Sequence, residues 1–203
     1  MNDITIFFLL GKTFMCREII KASATLIHPP PQRILYCYSE WQSLYDDMPE
    51  IVEFHQGINE DLLSRDNLKN QQILLIIDDL NEDANGTLIS AIFTRMSHHR
   101  FISVIYLTNS LFSNQRNYRL LASNTQYYGL FRSTRDHASI AILARQMVGS
   151  KAYKKVEQAY IECTKEPYGY LFCDLKANTP KELRFRTKIL PHEDTICFVI
   201  KND

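Results

Sequence analysis

Ile73-Leu74-Leu75-Ile76-Ile77-Asp78-Asp79 is the stretch on which the fold turns. Its apolar run is unbroken and stops on two adjacent carboxylates. A strand with one wet face alternates apolar and polar side chains, whereas a continuous run implies burial on both faces, as in a parallel sheet covered by helices. Outward from it, Arg33–Tyr38 and Phe101–Leu107 read as strands of the same kind, and Ile51–His55 as a shorter one. Ile4–Leu10 reads as a buried strand leading into a helix from Thr13 to Leu26. His28-Pro29-Pro30-Pro31 ends that helix, because proline lacks an N–H and disfavours helical geometry in the residue before it. A short helix is expected near Glu60–Ser64, a longer one over Thr87–Met96, and a strand over Gln126–Phe131. Ser133–Met147 reads as a helix opened by Ser133 with Asp136 three residues on, followed by a helix over Lys151–Cys163. Tyr168–Leu175, Arg184–Ile189 and Ile196–Lys201 form a strand-rich C-terminal tail. The pattern predicts an α/β fold over 1–203 as a single domain, with a mainly parallel sheet and helices on both faces.

The bulk composition narrows the classes of function. The chain has 203 residues, 45% hydrophobic and 23% charged, which is an ordinary globular balance with enough length for one sizeable core. Lysine plus arginine equals aspartate plus glutamate at 23 each, so the formal net charge is zero. A protein that coats DNA non-specifically carries excess positive charge; any nucleic-acid contact here is expected from a local patch or from a pore built by several subunits. Cys16, Cys37, Cys163, Cys173 and Cys197 show no CxxC or Cys/His metal spacing and are expected as buried, reduced thiols. The apolar start carries Asp3 instead of a basic segment and has no small-residue cleavage site, unlike a secretory leader. No run approaches the roughly 20 apolar residues that span a bilayer, so a soluble, intracellular protein without membrane contact is predicted.

Two strand ends carry chemistry. In a parallel α/β sheet, ligands bind beyond the carboxyl ends of the strands. The first strand ends at Gly11-Lys12-Thr13 and opens a helix. A phosphate-binding loop needs this combination: Lys12 to reach the phosphates of ATP, Thr13 to hold Mg²⁺, and helix N-terminal amides, beginning at Gly11, to bind anion. The tripeptide alone is a weak signal. The second is Asp78-Asp79, where the first carboxylate is placed to bind Mg²⁺ and the second to orient an attacking water. A solvated acidic pair opening a loop is the ordinary alternative. Together, the two strand ends point to a nucleotide site in a P-loop NTPase sheet.

At these residues the chain resembles a family: the small packaging ATPases of large DNA viruses and virus-like DNA transposons, of poxvirus-like, adintovirus and Maverick/Polinton types, within the FtsK/HerA P-loop superfamily. The resemblance is carried by Arg33-Ile34-Leu35-Tyr36-Cys37-Tyr38-Ser39-Glu40-Trp41-Gln42, by Leu74–Leu80, and by Ser97-His98-His99-Arg100. It continues through Ser103-Val104-Ile105-Tyr106, Leu143-Ala144-Arg145-Gln146-Met147 and Lys165-Glu166-Pro167-Tyr168-Gly169-Tyr170, and so covers nearly the whole chain in order. It implies a homo-oligomeric ring that uses ATP and Mg²⁺ to thread double-stranded DNA into a preformed capsid, with capsid proteins as further partners. In the implied site Asp79 or Glu82 orients water, and Asn109 stands where the family carries a polar sensor of the γ-phosphate, usually glutamine.

The phosphate loop departs from that family. A loop of the form G-x-x-x-x-G-K-[ST] would place its first glycine on Ile6, but Ile6 to Leu10 are apolar and cannot form a phosphate-cradling nest. The simplest account is that about five loop residues of the motif are missing before Gly11. A decayed gene copy, a misread exon junction and a genuine loss of activity all fit. The alternative to an active motor is therefore a catalytically inactive relative that serves as a structural or binding subunit. A small P-loop kinase fits less well, because an intact loop and a lid are both missing from the pattern. Arg95, Arg100 and Arg135 are candidates for an arginine finger, though each also reads as a surface or ion-pair residue. His98 and His99 are adjacent and point apart, which argues against a metal pair. Arg184, Arg186 and Lys188 share one face of an expected strand, facing DNA phosphate or blunting a sheet edge. Trp41 is expected to pack.

Overall fold

The computed structural model describes residues 12–68, 71–80, 82–96, 101–108, 118–133 and 137–201. The apolar run forms strand β3 (Ile73–Asp78), buried at every position. It lies between β1 (Arg33–Tyr38) and β4 (Ile102–Leu107), with β2 (Val52–Gln56) outside β1, and all three pairings are parallel. This is the layout that an unbroken apolar strand requires, since both of its faces must be covered.

Period-two geometry sorts each strand between two cores. Leu35, Cys37, Leu75, Ile77, Val104 and Tyr106 point to one side, where they meet α4 (Glu82–Ala91) and α6 (His137–Cys163) through Ile89, Leu143, Val156 and Tyr160. Ile34, Tyr36, Leu74, Ile76 and Ile105 point to the other, against Met15, Cys16, Ile19 and Ile20 of α1 (Lys12–Lys21). A second, antiparallel sheet runs in the order β5 (Tyr127–Phe131), β6 (Tyr170–Asp174), β7 (Phe185–Thr187), β8 (Ile196–Cys197). Its first two strands feed the same two cores, with Leu130 and Leu171 on one side and Phe131 and Phe172 on the other. The two sheets thus share one pair of helical layers. A mixed α/β fold with a parallel sheet, helices on both faces and a strand-rich C-terminal part is what the sequence pattern led us to expect.

Several local expectations are corrected. The first helix is interrupted at Ala22 (φ −96°, ψ 8°) and resumes as α2 (Ser23–Leu26). The stretch Glu60–Ser64 forms turns instead of a helix: Asn59 Oδ1 accepts the Leu62 N–H at 2.8 Å, and the Leu63 and Ser64 N–H groups donate to carbonyls three residues back; a single helical turn, α3 (Arg65–Leu68), follows. The helix expected over Thr87–Met96 starts at Glu82 and widens into a π turn over Ile92–Met96. There the Thr94 hydroxyl donates back to the Ser90 carbonyl at 2.8 Å, a bond that loosens the helical ladder. A further helix, α5 (Tyr118–Asn124), was not anticipated. The two late helices merge in α6, but Gly149 (φ 80°, ψ 172°) breaks the helical geometry where they meet.

The basic face of the tail is also revised. Only Arg186 sits in β7, and β7 lies between β6 and β8, so it is no sheet edge to be blunted. Arg186 donates to Asp174 at 2.9 Å and lies 5.3 Å from the Phe172 ring centroid, pairings that occupy it within the protein. Cys16, Cys37 and Cys173 are buried as expected, Cys163 partly so, and Cys197 is exposed. Asp136, half of the expected capping pair, lies outside the described residues, as does the Ile4–Leu10 strand. Among the described residues no helix is long and apolar enough to cross a membrane.

Leu75 is fully buried at the centre of β3. Truncating it leaves a cavity in a layer with little room to collapse, so Leu75→Ala is expected to cost about 2–5 kcal/mol of unfolding free energy. Urea titration followed by far-UV circular dichroism measures this; a loss below about 1 kcal/mol would contradict the central place given to β3.

Candidate functional site

The site grows from the register of β1 on β3. Tyr38 pairs with Asp78 and Tyr36 with Ile76, so Tyr36, Tyr38 and Asp78 share the face covered by α1. Asp78 is the last residue of β3 and is 3% exposed. A carboxylate so placed requires strong partners. Tyr36 supplies one, its hydroxyl donating to Asp78 Oδ2 at 2.6 Å. Tyr45, from the 3-10 turn Ser43–Asp47, supplies the second, donating to the same oxygen at 2.9 Å. Among the described residues both of these bonds converge on Oδ2.

The electrostatics agree with this packing. Burial, reinforced by the Cys16 thiol and by Asp78, pushes the Tyr36 phenol well above its usual range. Burial and then Asp78 push Tyr45 upward too, so both stay protonated donors. Burial and the Asp78 charge likewise raise the Cys16 thiol. That coupling places the second turn of α1 beside Asp78, and Thr13 lies one turn earlier, three residues before Cys16, along the same side of the helix. Thr13 is partly buried. Among the described residues no group of three or more His, Cys, Asp or Glu side chains could hold a metal, so an all-protein metal cage is not on offer there.

The other sequence candidates are distributed as follows. Asp79 is exposed, with φ 49°, a left-handed conformation that aspartate tolerates, and its N–H donates to the Leu107 carbonyl at 3.3 Å across the sheet end. Lys12 and Glu82 are the first residues of α1 and α4, so both begin helices. Gly11, Asn109, His98, His99, Arg100 and Arg135 lie outside the described residues, and Arg95 is placed only as part of the π turn. Trp41 is 52% exposed and makes edge contacts with Tyr38, Tyr45 and Phe54, so it packs over the cluster that holds Asp78.

Sequence reasoning missed Tyr36, Tyr45 and Cys16. Alternation along Arg33–Tyr38 puts Tyr36 on the same face as Ile34, but only the pairing of β1 with β3 reveals that this face adjoins Asp78. Tyr45 carried no signal, since a 3-10 turn brings it in from outside the sheet.

With this geometry in view, the comparisons with known proteins are informative about architecture. No protein-family model matches the chain, and no curated protein does. Among solved structures, the genome-packaging NTPase B204 of Sulfolobus turreted icosahedral virus 2 in complex with sulfate is similar at TM-score 0.53 and 16% identity, over 88% of this chain and 94% of that one. The DNA-packaging ATPase B204 of Sulfolobus turreted icosahedral virus is similar at TM-score 0.53 and 15% identity, over 88% and 96%. The B204 structure in complex with AMPPCP is similar at TM-score 0.50 and 16% identity, over 88% and 95%. The chain therefore has the α/β fold of a P-loop packaging NTPase; identities this low speak for the fold alone.

The Tyr36 hydroxyl is a charge-assisted donor to a buried carboxylate, so Tyr36→Phe is expected to cost about 1.5–3 kcal/mol in urea unfolding, softened by the remaining bond from Tyr45. The pH dependence has a definite sign. A phenol held protonated in the fold stabilises fully below its unfolded pKa near 10, and that contribution is lost as pH rises above it, because the unfolded chain releases the proton first. The wild-type stability curve above about pH 10 should therefore fall more steeply than that of Tyr36→Phe, by about 1.4 kcal/mol per pH unit. Parallel slopes would contradict the burial of this phenol.

Proposed function

We propose that this chain is a subunit of an ATP-dependent motor that translocates double-stranded DNA during packaging of a viral or virus-like genome. The single observation that carries the reading is Asp78. It is a buried carboxylate at the carboxyl end of the central parallel strand, with Oδ2 fixed by two phenols and the first turns of α1 alongside. An isolated surface acid needs no such support, whereas a Mg²⁺ ligand must be held in place before the ion arrives. The architecture shared with packaging NTPases, one of them crystallised with AMPPCP, supports the same reading.

In this proposal Thr13 and Asp78 hold Mg²⁺, while Lys12 and the Gly11 backbone hold phosphate. Asp79 or Glu82 orients water, and Asn109 senses the γ-phosphate. The metal would supply charge neutralisation on the phosphates. The protein's own part is to hold the Asp78 carboxyl group through two hydrogen bonds and to keep both tyrosines as donors. Because the net charge is zero, DNA contact would come from a homo-oligomeric ring, with capsid proteins as further partners and a soluble, intracellular or virion-associated location. Within the FtsK/HerA superfamily, the lineage proposed is that of poxvirus-like, adintovirus or Maverick/Polinton packaging ATPases.

A second reading is favoured by a specific observation. Ile6 to Leu10 are apolar where a glycine-rich loop is needed, which suits a relative that keeps the fold and its subunit contacts without turnover. Calorimetry with Mg·ATP separates the two. The motor reading predicts measurable binding by the wild type and at least tenfold weaker binding by Lys12→Ala, with DNA-stimulated phosphate release. Negligible binding by both proteins would sink the ATPase claim and leave the inactive relative.

A further inference from the structure

The first turn of α1 carries an aromatic side chain immediately after Thr13. Phe14 is 40% exposed and meets Tyr168, which is 66% exposed, with ring centroids 5.2 Å apart and planes inclined by 35°. Arg17, one turn along α1, places its guanidinium 5.1 Å from the Phe14 centroid, so that ring is held from both sides. The pair joins the amino end of α1 to the segment that enters β6. Tyr168 also borders a cavity of about 280 Å³ lined by Phe131, Arg132, Lys165, Glu166, Pro167 and Gly169. Through the Phe14–Tyr168 contact the cavity adjoins the first turn of α1.

The backbone beneath the Tyr168 ring is built for one position. Tyr168 has φ 62°, a left-handed conformation that is unfavourable for a bulky side chain and persists only where neighbours enforce it. Gly169 does so on one side: a Cβ there would collide with the Cys163 carbonyl oxygen, and its N–H donates to the Glu166 carbonyl at 3.1 Å. On the other side Lys165 is tied to Glu162. This turn sets the Tyr168 ring against Phe14 while leaving it 66% exposed.

We propose that Tyr168, backed by Phe14, is the platform on which the base of the bound nucleoside triphosphate stacks, with the cavity between Arg132 and Glu166 receiving the edge of the base. This rests on the nucleotide reading of Thr13 and Asp78 and adds the subsite that distinguishes a nucleotide from a bare polyphosphate. Stacking suits the role because every base has a π-face, and Tyr168 stays 66% exposed while its ring packs on Phe14. The charged groups around the rim would choose among bases by their edges.

The test compares Mg·ATP with magnesium tripolyphosphate by calorimetry on the full chain, in the wild type, Tyr168→Ala, Tyr168→Phe and Phe14→Leu. Tyr168→Ala is expected to lose ATP affinity on the order of ten- to hundredfold while keeping that for tripolyphosphate, and Tyr168→Phe to bind both as the wild type does. Phe14→Leu, which removes the backing ring from an exposed position, should lower ATP affinity alone and serves if Tyr168→Ala fails to fold. Equal wild-type affinity for ATP and tripolyphosphate, or an unchanged ATP affinity in Tyr168→Ala and Phe14→Leu, overturns the platform and leaves the phosphate site standing. An equal loss of both ligands in the folded variants overturns it as well, assigning Tyr168 a structural role. Binding of neither ligand by the wild type overturns the nucleotide reading and the platform with it.

Discussion

A carboxylate that is 3% exposed at the end of a fully buried strand is the constraint around which this molecule is arranged. Water is largely excluded from Asp78, so the fold must bring hydrogen-bond donors to its carboxyl group. It does so with two phenols on one oxygen, and each choice then constrains another element. Tyr36 fixes the register of β1 on β3, because a slip by one residue would turn its ring to the opposite core. Tyr45 fixes the path of the chain between β1 and β2, since the 3-10 turn must fold back over the sheet end to deliver it. Trp41, Tyr38 and Phe54 then close around that turn.

The second consequence is a division of labour between the two faces of the sheet. The face under α4 and α6 is a largely apolar layer in which the Tyr160 hydroxyl donates to the Phe131 carbonyl and accepts from the Ser133 N–H. The face under α1 starts the same way, with Ile34, Leu74 and Ile76, but becomes tyrosine-rich and then acidic as it approaches the carboxyl ends of the strands. In the proposed function the nucleotide lies at one corner, between the amino end of α1 and the end of β3. The antiparallel sheet contributes Phe131 and Tyr170 to this same layer, and its entering turn brings Tyr168 against Phe14. The C-terminal strands are thus part of the corner's construction, although they lie in a separate sheet.

Much of this was legible in the sequence where one physical rule acts alone. The run Ile73–Ile77 has no other comfortable fate than the centre of a parallel sheet, and Arg33–Tyr38 and Phe101–Leu107 follow the same rule. Asp78 stood out because a charge terminates an apolar run. What could not be read depends on contacts between distant segments. Nothing in the order of residues says that Tyr45 turns back toward Asp78, or that Cys16 lies near the same carboxylate. Arg186 looked like a surface cation by alternation; only the placement of β7 between β6 and β8 turns it into the partner of Asp174. A hydroxyl side chain accounts for one of the helix differences, since Thr94 donates to the Ser90 carbonyl where the helix widens.

The central claim is that Asp78 is held as a metal ligand for a nucleotide site. Manganese substituted for magnesium reports this directly, because its free-ion paramagnetic resonance signal disappears when the ion is bound. In the presence of a non-hydrolysable ATP analogue, kept at a concentration too low to capture the manganese by itself, the wild type should remove that signal and Asp78→Asn should restore it. Equal manganese uptake by the two proteins, with both folded, would contradict the account.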